Sequence, residues 1–95
     1  MSKMTAYEFN QRRQACLDAG IGEGSIWQHY KGGVYVVLGF TIDTHHGGFL
    51  VVYRRIGGPD FNALAEAHMT FSRPPEEWQD LVNPAGGRRF CKITD

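Results

Sequence analysis

The chain has 95 residues, of which 42% are hydrophobic and 21% charged, and its ten basic residues balance ten acidic ones. This length and composition fit one globular domain and exclude the disordered class, which combines few hydrophobic residues with high net charge. The neutral balance also removes the long-range field that draws a protein to nucleic acid or anionic lipid.

The N-terminal residues have the pattern of a capped helix. Thr5 and Glu8 are spaced as a capping box, in which the hydroxyl binds one backbone amide and the carboxylate reaches back to another. Gly20 stands where a glycine commonly ends a helix in the left-handed conformation. We therefore predict a helix over residues 6–19 that lies on the rest of the domain.

Glycine pairs divide the rest of the chain into short apolar runs. Such pairs supply the positive φ angles that tight hairpin turns need, and they occur at 32–33, 47–48, 57–58 and 86–87. The runs between them predict five strands, at about 25–31, 34–43, 48–56, 67–72 and 88–94. The run 34–40 is rich in β-branched and aromatic residues, which predicts the central, largely buried strand.

These elements together predict a mainly β fold. Closure of a small sheet removes exposed edges, so we expect a small SH3-like barrel of about five antiparallel strands, with an OB-like barrel as the alternative. Gly39 predicts a bend within its strand, and Pro75 before two acidic residues predicts a short helical turn near Trp78. We divide the chain into a helix and linker at 1–24 and a barrel domain at 25–95.

The cysteines and the N-terminal residues are informative about the cellular compartment of the protein. Cys16 and Cys91 form no C-x-x-C motif, so we expect two free, mostly buried thiols in a reducing environment. The first residues lack the apolar core of a secretory signal, and no run approaches the ~18 apolar residues of a membrane span. We expect a cytoplasmic protein with no membrane association.

Three ordered blocks of sequence resemble a known family. They read W-Q-H-Y-K-G-G-x-Y-x-V-L-G at 27–39, L-V-V-Y at 50–53 and F-S-R-P-x-x-x-W at 71–78. Over about residues 25–82 they resemble the small bacterial domain of unknown function known as DUF1653. The resemblance implies an SH3-like barrel and brings no established activity. The turn at 43–48 departs from the family pattern.

One cluster of polar and aromatic residues is a candidate ligand site. His29 and Lys31 lie two apart on a predicted strand and so project to the same side, and the resemblance implies that Arg73 approaches them. The candidate binding residues are Trp27, His29, Tyr30, Lys31, Tyr53 and Arg73. A positive cluster beside aromatic rings suits a carboxylate, a phosphate or an extended peptide. The alternative is structural, with His29 and Arg73 satisfying backbone carbonyls at the ends of the barrel and with Trp27 and Tyr30 in the core.

Other constellations are weaker. Asp43, His45 and His46 are metal-ligand types, but neighbouring histidines on an extended chain point apart, so a site would need a distant group such as His68. The K-G-G at 31–33 lacks the remaining residues of a phosphate-binding loop. We predict no metal, no cofactor and no catalytic residue, and an exposed polar turn around His45.

The function that these observations favour is a non-enzymatic module that binds a protein or peptide partner, as a monomer or homodimer. One alternative is a small-molecule, nucleotide or anion-binding protein, or an enzyme, that uses His29, Lys31 and Arg73. A second alternative is binding of single-stranded nucleic acid on exposed aromatic residues. The short arginine pairs at 12–13, 54–55 and 88–89 are typical of solvated surface, so nucleic acid is the less favoured partner.

Overall fold

Five antiparallel strands form one sheet in this computed structural model, which describes residues 4–78 and 87–94. The strands are β1 (Ile26–His29), β2 (Val34–Ile42), β3 (Phe49–Gly57), β4 (Phe71–Arg73) and β5 (Phe90–Thr94). Their order is β4-β3-β2-β1-β5. The predicted mainly β fold of five antiparallel strands is confirmed. In the described residues the strands form one open sheet, because the ladder ends at β4 and β5.

The N-terminal helix α1 (Ala6–Asp18) forms as predicted. The Glu8 amide donates to the Thr5 hydroxyl at 3.1 Å, and the Thr5 amide donates to the Glu8 carboxylate at 3.0 Å, which completes the capping box. At the other end, the amide of Ile21 donates to the Cys16 carbonyl at 2.8 Å, with Gly20 at φ +86°. These bonds satisfy backbone groups that a bare helix terminus leaves without partners.

A bulge in β2 bends the sheet. Val37 pairs with Tyr53 and Gly39 pairs with Val52, so Leu38 is an extra residue without an opposite partner. A bulge of this kind bends the strand and increases its twist. The bend that the sequence predicted at Gly39 thus lies at the neighbouring Leu38, whose side chain is 44% exposed.

The prediction for the fourth strand was wrong at its start. A short helix α2 (Ala63–Glu66) and the turn after it delay β4 until Phe71, whereas the sequence predicted a strand from residue 67. The Asn62 carboxamide caps α2 by accepting from the Ala65 amide at 3.0 Å. The short 3-10 turn Pro75–Glu77 follows β4, as predicted. The sequence also predicts that Leu81 fills the end of the fold together with Trp78, but Leu81 lies outside the described residues.

Aromatic side chains fill the core and link the two edges of the sheet. Trp78, which follows the 3-10 turn, is fully buried, and its ring lies 4.9 Å from Tyr53 on β3 and 4.1 Å from Phe90 on β5. Trp27 on β1 meets Trp78 edge-on at 5.8 Å. Side-chain packing therefore connects the two edges of the sheet, which backbone hydrogen bonds within the described residues do not connect.

The helix α1 covers one end of this core. Phe9 packs against Phe49 with ring centroids 5.1 Å apart, and Cys16 is buried. Both cysteines are free, but Cys91 is exposed, so the expectation of mostly buried thiols holds only for Cys16. No helix in the described part of the chain has the length and apolar character of a membrane span.

Candidate ligand-binding site

His29 lies at the centre of the candidate site. It is the last residue of β1 and pairs with Phe90, the first residue of β5. Its half-buried imidazole meets the Phe90 ring edge-on at 5.0 Å and lies 4.5 Å from Tyr30 and 6.4 Å from Tyr35. The strand pairing and these three rings hold the imidazole in place.

The hydrogen bonding and surroundings of His29 favour its neutral form. The backbone amide of Lys31 donates to Nδ1 at 3.2 Å, so in the neutral ring the proton is on Nε2. Burial and the positive charges of Arg73, Arg89 and Lys31 lower the pKa of His29. Near neutral pH the ring therefore presents Nε2–H as a hydrogen-bond donor.

Arg73 is held by two contacts. It is the last residue of β4, and its Nε donates to the Tyr53 hydroxyl at 3.4 Å. Its Nη1 donates to the Glu77 carboxylate at 3.1 Å, across one turn of the chain. The family resemblance implies that Arg73 approaches His29, and the positive charge of Arg73 is one of those that lower the pKa of that imidazole.

Arg89 is a member of the cluster that the sequence interpretation missed. Its carbonyl accepts from the Tyr30 amide at 2.9 Å, and this bond places it beside the turn that follows β1. Its Nε is buried and has no hydrogen-bond partner in the described structure. The sequence signal was the pair at 88–89, which we interpreted as solvated surface; Arg88 is exposed, but Arg89 is not.

The six residues predicted from sequence separate into two groups. Trp27 is 1% exposed and its indole donates to the Ser25 hydroxyl at 2.9 Å, and Tyr53 is 5% exposed, so both belong to the core. Tyr30 is 49% exposed and lies under the Lys31 ammonium, which is 5.7 Å from the ring centroid. The candidate site is therefore made of His29, Tyr30, Lys31 and Arg73, with the partly buried Arg89 as an additional member.

The site lies next to both edge strands of the open sheet. Arg73 ends β4, Arg89 directly precedes β5, and the charges of both lower the pKa of His29. We call this group, His29 with Lys31, Arg73 and Arg89, the cationic cluster. Its position next to strand edges follows from the strand order and not from proximity in sequence.

Comparison with known protein families identifies the family of the domain that contains this sheet. A model of proteins of unknown function, DUF1653, matches residues 25–92. The chain belongs to the DUF1653 family. No curated protein and no solved structure matches it. The match includes every member of the cationic cluster, so the candidate site lies within the DUF1653 domain, whereas α1 precedes it.

The histidine turn of this DUF1653 chain is a local hydrogen-bonded structure. Asp43 accepts from the side chain of His46 at 3.0 Å and from the amide of His45 at 2.9 Å, and these bonds lower the pKa of Asp43. Within residues 4–78 and 87–94 no group of three histidine, cysteine or acidic side chains has the arrangement of a metal site. The three hydrogen bonds that the Asp43 carboxylate accepts order this exposed turn.

Two further residues with reactive side chains, Cys16 and Glu76, have contacts elsewhere in the structure. Burial raises the pKa of the Cys16 thiol, which disfavours the nucleophilic thiolate. Glu76 forms an ion pair with Arg12 on α1. Neither group joins the cationic cluster.

Proposed function

We propose that this DUF1653 domain is a non-enzymatic module that binds an extended segment of a partner protein. The observation that supports this function best is the position of the cationic cluster at the edges of an open sheet. Arg73 belongs to the edge strand β4, and Arg89 precedes the edge strand β5. Edge strands present backbone groups to which an extended peptide adds by main-chain hydrogen bonds.

The exposed aromatic ring next to the cluster supports the same function. Tyr30 is half-exposed in the turn after β1, and Lys31 lies over it. Tyrosine supplies a large, rigid contact surface with a polar tip, which is why it is enriched at protein interfaces. A peptide that follows β4 past Arg73 would therefore meet both a charged group and an apolar surface.

The state of His29 argues for binding over catalysis. A general base needs a ring nitrogen that is free to accept a proton near neutral pH. Nδ1 of His29 already accepts from Lys31, and the opposite nitrogen carries the proton. The imidazole is thus arranged to donate to a ligand. The free cysteines also suit the cytoplasm, where we propose that the domain works.

Selection from a library of random displayed peptides tests this function. We expect immobilised domain to enrich peptides whose binding is weakened about tenfold, or ~1.4 kcal/mol, by Tyr30→Ala. The control is Tyr7→Ala, since Tyr7 is 72% exposed on α1 and belongs to no part of the cluster. Failure to enrich any peptide, or equal binding by Tyr30→Ala, would contradict the proposal.

A further inference from the structure

We infer that His29, Arg73 and Arg89 form a subsite for a carboxylate, supplied by an aspartate or glutamate of the bound segment. This inference rests on the proposed function, because it assigns a chemical class to the ligand of the same site. The reasons are the hydrogen-bonding state of each donor and the charge balance of the cluster.

The first reason is a donor without a partner. The Arg89 Nε is buried and, in the residues that the structure describes, no acceptor lies within hydrogen-bond distance. A buried donor that lacks an acceptor destabilises the protein, and more so when the group is charged. A carboxylate is the acceptor that matches a guanidinium best, because two parallel bonds form between planar groups.

The second reason is that the other two members present donors as well. The Nε2–H of His29 is set by the Lys31 amide, which occupies Nδ1. Arg73 is anchored through Nε to Tyr53 and through Nη1 to Glu77, so its guanidinium is fixed before a ligand arrives. Donors that are fixed in advance lose less entropy on binding.

The third reason is an excess of positive charge. Arg73, Arg89 and Lys31 all act on His29, and in the described part of the chain the acid paired with this cluster is Glu77. Three cations with one carboxylate leave room for further negative charge. Coulomb attraction is strengthened at partly buried sites, where water screens it less.

A peptide carboxylate fits these observations better than a nucleic acid. Nucleic acid is bound by a groove of basic residues that follows several phosphates, with exposed rings on which bases stack. Here Lys31 and Arg89 both adjoin one imidazole, that of His29, and Tyr30 is an exposed ring beside it. The protein also has no net positive charge.

Two blocked peptides of equal length, oligoglutamate and oligoglutamine, provide the test. We expect oligoglutamate to bind at least ~10-fold more tightly, and Arg89→Gln to remove this preference. The matched control is Arg88→Gln, which changes net charge equally at an exposed neighbouring position. In an NMR titration, bound oligoglutamate should raise the pKa of His29, because a nearby carboxylate favours the imidazolium ion.

The outcomes separate the two proposals. If library peptides bind but are insensitive to Arg89→Gln, the carboxylate subsite is wrong and the binding module stands. Equal losses for Arg88→Gln and Arg89→Gln would show a non-specific charge effect and overturn the subsite, as would tighter binding of oligothymidylate than of oligoglutamate. If Arg89→Gln fails to fold, the exposed Lys31→Glu replaces it, and retention of the glutamate preference in that variant would overturn the inference.

Discussion

Trp78 stacks on Phe90, with ring centroids 4.1 Å apart and planes within 12° of parallel. Both side chains are at most 1% exposed. The contact joins the 3-10 turn to the first residue of β5. The turn follows β4, and β4 and β5 are the two edge strands of the open sheet. Packing of side chains therefore connects the two edges of this sheet, whereas backbone hydrogen bonds connect them in a fully closed barrel.

This contact predicts that Trp78→Ala is among the most destabilising substitutions in the chain. Truncation of a buried large aromatic side chain costs about 3–5 kcal/mol, because transfer energy is lost and a cavity remains. Urea denaturation measures the change in the free energy of unfolding. Leu64→Ala is the control, because Leu64 is 93% exposed, and we expect it to have little effect. A comparable loss in both variants would contradict the assignment of Trp78 to the core.

Substitution by alanine should destabilise the protein at Gly58 and be tolerated at Gly39. At Gly58 a Cβ atom would lie 2.5 Å from the Gly32 carbonyl oxygen, and φ is +100°. Rigid backbone cannot yield there, so we expect Gly58→Ala to cost at least about 2 kcal/mol. At Gly39 a Cβ would meet nothing within 4 Å, so Gly39→Ala should be tolerated. Thermal melts of both variants test this, and similar melting temperatures would contradict it.

The capping box predicts a modest effect at Thr5. Thr5→Ala removes the acceptor of the Glu8 amide and should cost roughly 1 kcal/mol. Thr5→Ser keeps a hydroxyl at this position and should retain most of the stability. If the alanine and serine variants unfold at the same urea concentration, the cap contributes nothing measurable to the protein.

The stability of the protein should decline below pH 6.5 through His29. Its pKa is lowered from an ordinary value of 6.5, so the unfolded chain binds more protons between that value and the folded pKa. Stability is therefore fully present above pH 6.5 and is lost as the pH falls through this window. Protonation also fills Nδ1, which then cannot accept from Lys31.

Substitution separates this effect from other acid transitions. His29→Gln should flatten the pH dependence just below pH 6.5, as measured by urea denaturation at each pH. His68→Gln, at an exposed position, should keep the slope. Glu8 and Asp43 also have lowered pKa values, but their ordinary values are 4.5 and 3.8, so they act at more acidic pH. A slope that survives in His29→Gln would contradict the assignment.

Arg73→Ala should separate binding from stability. The guanidinium is half-buried, and its bond to the Tyr53 hydroxyl is long at 3.4 Å, so we expect a melting temperature within a few degrees of the parent protein. Affinity for peptides selected by the domain should fall about tenfold or more, since a charge-assisted contact is lost. A large loss of stability with unchanged affinity would make Arg73 structural.

The sequence predicted those parts of the molecule that depend on local chemistry. The cap at Thr5, the end of α1 at Gly20 and the proline-led turn before Trp78 follow from the preferences of a few neighbouring residues. The start of β4 could not be found in this way, because the Asn62 cap lets a short helix compete with the strand pattern.

The candidate site was predicted only in part for a similar reason. His29 and Lys31 are close in sequence, and Arg73 came from the family pattern. The sequence alone does not distinguish Arg89 from a surface arginine. Its place in the site follows from the folded chain, in which its carbonyl accepts from the Tyr30 amide. Conversely, Trp27 and Tyr53 have the composition of a binding surface, but alternation along the strands turns them inward.

The position of α1 has a consequence for how this chain is divided. The family match begins at residue 25, yet Cys16 and Ile21 are buried in the same cluster as Trp27 and Phe49. The boundary of homology therefore passes through the interior of the protein. A fragment cut at that boundary would leave one side of Phe49 bare, so the extension and the shared sheet should melt together as a single cooperative unit.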